Sequence, residues 1–138
     1  MKALFILLSA LFIGHKGFTQ DWVYAGTDNE DTKYYVKSTY VSKTNYEGGI
    51  KVWTKKELKK TTVKKNGKTL TYTNAKELQL LVIDCSEKKM KIVSTIVYNS
   101  QGKVVDSWTL KDYEQEWDDI VPDSMGEAVL NKTCELFN

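Results

Sequence analysis

Few residues in this chain can do covalent or acid–base chemistry. Cys85 and Cys134 are its two cysteines, His15 is its single histidine, and arginine is absent from its 138 residues. His15 sits in an N-terminal stretch that reads as a removable leader, so the rest of the chain lacks the central group of a Ser-His-Asp or Cys-His arrangement. It equally lacks a histidine metal ligand and a guanidinium clamp for phosphate. The two cysteines allow one connectivity. A redox or zinc pair wants a Cys-x-x-Cys spacing or a nearby histidine, and neither is present, so a structural disulfide between Cys85 and Cys134 is expected. Closing so long a loop stabilises by about 4 kcal/mol in the chain-entropy model.

Asp112, Glu114, Glu116, Asp118 and Asp119 are crowded together. Such carboxylates could in principle pair for glycoside hydrolysis. The plainer reading is a solvated acidic loop, and the run lacks the D-x-[DN]-x-[DN]-G spacing of a calcium loop. No catalytic residue, metal site or cofactor is assigned, and the chain reads as a non-enzyme.

Charge is segregated along the sequence. Residues 33–68 hold eleven lysines against Glu47 and Glu57, whereas residues 106–127 hold eight acids against Lys111. Lys51, Lys55, Lys56, Lys59, Lys60, Lys64, Lys65 and Lys68 are therefore the candidate ligand face, able to steer the protein onto acidic glycans or acidic protein surfaces through attraction that salt screens. The competing reading is that these lysines keep an exposed sheet edge soluble. Nucleic acid is a poor partner, since no basic-aromatic motif is present. Trp22, Trp53, Trp108 and Trp117 could form a stacking surface, but in a small sheet protein large aromatics are expected in the core.

The elements that must position these residues follow a leader. Met1 and Lys2 precede the apolar run Ala3 to Ile13. As a helix that run covers roughly 16 Å, about half the hydrocarbon thickness, which suits a signal peptide and not an anchor. Gly17-Phe18-Thr19 offers small residues for cleavage, giving a signal peptide over 1–19 and one domain over 20–138 with no transmembrane segment. Export to the periplasm, the cell surface or the medium is the expected localisation. Removing Lys2 and Lys16 leaves lysines and acids equal in number.

Strand signals dominate the remainder. Trp22 to Ala25 and Tyr34 to Val36 are short aromatic and β-branched runs around a polar turn. Ile50 to Lys55 alternates, with Ile50 and Val52 on one face and Trp53 on the other. Asn66-Gly67 between Thr61 and Thr73 is a two-residue hairpin turn. Leu78 to Cys85 is nearly continuously apolar, as a central strand would be. Lys91 to Tyr98 and Val104 to Leu110 form a second hairpin. Ser124 and Glu127 have capping-box spacing, and Ala128, Val129, Leu130, Thr133, Cys134 and Phe137 make an apolar stripe on the helix that follows. The expected fold is α+β, an antiparallel sheet of about six strands with one C-terminal helix packed on it and one disulfide.

Several pieces occur in an order that resembles the surface-adhesin protein E-like domain of exported bacterial proteins. They are Trp22, Tyr34-Tyr35-Val36, Val52-Trp53, Asp84-Cys85, and Trp117-Asp118-Asp119-Ile120-Val121-Pro122-Asp123-Ser124 with Glu127, Leu130 and Cys134. The resemblance implies an antiparallel sheet on a C-terminal helix and a non-enzymatic binding module at the bacterial envelope or surface, contacting proteins or acidic glycans. The alternative is a periplasmic small-ligand carrier or accessory factor with a cavity between sheet and helix.

Overall fold

The computed structural model describes residues 21–44 and 49–137. The expected signal peptide, residues 1–19, lies outside the described residues. In chain order the elements are β1 (Trp22–Thr27), β2 (Lys33–Thr44), β3 (Gly49–Lys65), β4 (Lys68–Asp84), β5 (Lys89–Tyr98), β6 (Val104–Thr109), β7 (Asp118–Asp119) and α1 (Met125–Phe137). The first six strands pair antiparallel in sequence order as a meander, and β7 pairs with Lys89 and Met90 at the start of β5. The α+β expectation holds, with β7 as a short seventh strand.

Local chemistry explains the main turns. Asn66 and Gly67 have φ of 52° and 73°, which asparagine tolerates and glycine, without a Cβ, adopts freely, and this closes a hairpin whose register stays constant from Ile50↔Ile83 to Lys65↔Lys68. At the β5–β6 turn, Asn99 Oδ1 accepts from the backbone N–H of Gln101 and of Lys103. At α1, Ser124 Oγ accepts from the Glu127 N–H at 3.2 Å, and the Glu127 carboxylate accepts from the Asp123 N–H at 2.8 Å. This is the capping box the sequence announced, with its return bond moved one residue back.

The apolar stripe of α1 packs over β1, β2 and β3 on one face of the sheet. Val129 and Leu130 meet Val36, Ile50, Val52, Leu81 and Ile83 there. Cys85, just past β4, is bonded to Cys134 in the last turns of α1, with Cα atoms 5.9 Å apart. The core is aliphatic. Contrary to the expectation for large aromatics, none of the four tryptophans is buried: Trp22 and Trp53 are half-covered, while Trp108 and Trp117 are exposed. Alternation is the cause for Trp53, which pairs with Leu80 on the face away from the helix while Val52 points into the core.

Two strand pairs are longer than the sequence suggests. Thr61 to Lys65 is continuous with Ile50 to Lys55, and Lys68 to Thr73 with Leu78 to Asp84. The joining segments, Lys56 to Lys60 and Asn74 to Glu77, carry no apolar alternation. They continue the strands because Lys56, Glu57, Leu58 and Lys60 ladder against Glu77, Lys76, Ala75 and Thr73, and only Asn74, with φ of 50°, departs from extended backbone.

Candidate ligand-binding surfaces

The side-chain period of two divides the eight candidate lysines. Lys51, Lys55, Lys59, Lys65 and Lys68 lie on the open face, away from α1, and Lys56, Lys60 and Lys64 on the face that carries it. Several are engaged within the protein. Lys55 Nζ lies 3.0 Å from the Glu57 carboxylate and 4.2 Å from the centre of the Tyr35 ring. Lys56 is paired with Glu77 at 2.8 Å, and Lys59 with Asp31.

Lys60, Lys64, Lys65 and Lys68 are exposed and sit together on one structure. β2 follows β3 only as far as Lys33↔Glu57, and β5 follows β4 only from Lys76↔Tyr98. Residues 58–75 therefore form a ribbon of two strands with no outer neighbour among the described residues, reaching about 25 Å beyond the sheet at ~3.3 Å per residue. One of its faces sets Lys60, Thr62 and Lys64 opposite Thr73, Thr71 and Thr69, all exposed. The other carries Lys65 beside Lys68, and Val63, buried opposite Leu70. No acidic residue lies between Glu57 and Glu77.

A second cluster, which the sequence did not announce, lies on the open face across β1–β3. The Lys37 ammonium stands 5.0 Å from the Trp22 ring centre, Lys55 stands 5.3 Å from the same ring, and Tyr24 meets Tyr35 edge-on. The Tyr35 hydroxyl donates to Glu57 at 3.2 Å. Burial raises the Glu57 pKa, but the hydrogen bonds from Lys55 and Tyr35 and the Lys55 charge outweigh it and leave the carboxyl below its ordinary value. At the β1–β2 turn, desolvation likewise pushes Asp28 up. The backbone N–H groups of Thr32 and Glu30 and the Tyr34 hydroxyl together bring it below the ordinary carboxylate value. Burial, then the Asp28 partner, pushes Tyr34 up to about 12.

Two cavities bear on small ligands. The space between α1 and the sheet is about 230 Å³ and has a partly polar wall that includes Tyr34, Thr54, Lys56 and Gln79. A larger one of about 460 Å³ lies on the open face. In the acidic run, Glu114 accepts from the Lys111 N–H, and Asp119 reaches Lys89 at 3.6 Å. Among the described residues no group of three His, Cys, Asp or Glu side chains is placed to hold a metal.

The described residues form an antiparallel sheet with one helix-covered face, one open face and a projecting lysine ribbon. The chain belongs to the surface-adhesin protein E family, whose model matches residues 22–135. No curated protein and no solved structure gives a significant match. Membership supports a surface adhesin-like role and an exported or surface-exposed protein with external partners. Among the described residues no helix is long and apolar enough to cross a membrane.

Proposed function

We propose that the protein is a non-enzymatic binding module of the bacterial envelope or surface, and that it holds acidic groups on proteins or glycans with the ribbon of residues 58–75. The observation that carries this reading is the run from Leu58 to Ala75, which holds no acid and is raised clear of the sheet on a two-stranded scaffold, with Lys60, Lys64, Lys65 and Lys68 exposed along it. Fixed backbone lowers the ordering cost of binding, and ammonium groups without carboxylates nearby keep their attraction for a polyanion. Residues 1–19 are removed on export, so that the working protein begins at Gln20, which N-terminal sequencing of the exported protein checks.

The test is binding of the exported protein to heparin-like sulfated glycan and to acidic matrix protein, at low and at physiological salt. Replacing Lys60, Lys64, Lys65 and Lys68 by Ser removes four exposed charges worth about 0.5 kcal/mol each, so affinity falls roughly thirtyfold. Affinity unchanged at low salt overturns the role given to the ribbon. Binding of the unaltered protein that vanishes at physiological salt leaves the lysines as a guard on the ribbon's open edges.

A further inference from the structure

The 460 Å³ trough on the open face lies apart from the ribbon and is built from a single cross-strand row. Ser42, Lys51, Val82 and Lys91 stand opposite one another on β2, β3, β4 and β5. Val82 is nearly buried and forms the floor between the two lysines. Gly49 adjoins it and keeps the floor low: a Cβ there would collide with Val82 Cγ1 and touch the Trp117 ring. Val93 and Leu110 extend the aliphatic lining, and Thr109 and Gln115 add polar groups.

One wall is the segment from Leu110 to Gln115, which is held in place by its own hydrogen bonds. The Leu110 N–H donates to the Val93 carbonyl at 2.9 Å, Gln115 Nε2 donates to the Leu110 carbonyl at 3.1 Å, and the Lys111 N–H donates to the Glu114 carboxylate at 2.8 Å. Lys91 is drawn over the Trp117 ring, 5.0 Å from its centre. Lys51 is half-buried and has no carboxylate partner among the described residues. An ammonium standing beside an aliphatic floor can give a charge-assisted contact to an anion whose apolar body lies on that floor. Asp112 at the rim is exposed and hydrogen-bonded by Gln115 at 3.3 Å.

We propose that this trough binds a small organic anion, a carboxylate with an aliphatic body, placing the carboxylate on Lys51 and the body on Val82, Val93 and Leu110. The volume lies within the roughly 300–1,000 Å³ usual for small-molecule sites, which the space beneath α1 does not reach.

The test titrates the exported protein with decanoate and, separately, with decanol, following backbone amide shifts. Decanoate is expected to saturate, with shifts concentrated at Ser42, Lys51, Val82, Val93 and Leu110, and to bind roughly tenfold more tightly than decanol, the contribution of one charge-assisted contact. Lys51→Gln removes that advantage while decanol binding and the melting temperature stay the same. Absence of saturation, shifts centred beneath α1 or on the ribbon, equal affinity for decanol, or an unaffected Lys51→Gln variant overturns the proposal. So does a response that follows protein concentration, the sign of copies associating across this face.

Discussion

Removing the Cys85–Cys134 bond by the double change Cys85→Ala and Cys134→Ala should lower stability chiefly through the unfolded chain. The bond spans 49 positions of sequence, and releasing a loop of that length restores denatured-state entropy worth about 4 kcal/mol at 25 °C. With an unfolding entropy of about 2.1 cal/mol/K per residue, a domain of this size loses roughly 15 °C of melting temperature. The helix keeps its other attachments, because Val129, Leu130 and Thr133 remain packed in the core and Thr133 Oγ1 still donates to the Val129 carbonyl at 2.8 Å. The variant should therefore be folded at 25 °C, with the native near- and far-ultraviolet circular dichroism, and unfold early in a thermal scan. A loss of less than about 5 °C would refute the loop-closure account. A variant already unfolded at 25 °C would refute the claim that packing alone seats the helix.

Other expectations follow from the core and the titrating groups. Leu130→Ala, at a site 3 % exposed, should cost about 2–5 kcal/mol in urea unfolding. Asp28 and Glu57 have native pKa values below their ordinary 3.8 and 4.5, so the unfolded chain takes up protons first as pH falls. Their contribution is complete above that range and is lost as pH drops through it. Asp28→Asn should flatten the fall of the urea midpoint between pH 5 and 3. Tyr34 is raised from 10.0 to about 12, so its contribution is complete below pH 10 and lost between 10 and 12. Tyr34→Phe should flatten that alkaline limb.

Elements whose signals are local were legible in the sequence. Asn66-Gly67 marks its turn because few residues accept two successive positive φ values, and Ser124 with Glu127 marks the helix start because the cap is made within one turn. The central place of Leu78 to Asp84 was also legible, but its apolar run overstates its cover: Val82 is nearly buried, while Leu78 and Leu80 on the same open face are only half-covered. What was not legible depends on partners distant in sequence. The lysines between Lys51 and Lys68 read as one face, but alternation splits them, and acids from the β1–β2 turn (Asp31) and from β4 (Glu77) take two of them. The trough row is likewise invisible along the chain, since Ser42, Lys51, Val82 and Lys91 become neighbours only through strand register. Asp118-Asp119 looked like solvated loop, yet β7 adds to the edge of β5, and Trp117, expected in the core, is exposed and lies over Gly49.

The ribbon and the disulfide occupy opposite ends of one strand. β4 runs from Lys68 beside the hairpin turn to Asp84, and Cys85 follows at once. A pull applied at the ribbon tip is therefore carried along β4 to a covalent bond. On the way it loads the hydrogen bonds of β4 to β5 and of β3 to β2 sideways and together, because antiparallel ladder bonds lie perpendicular to the strands. Separating such a ladder lengthwise requires many bonds to fail at once, whereas peeling breaks them one by one. On the proposal that the ribbon is the grip, tension entering β4 ends at the bond that ties it to α1.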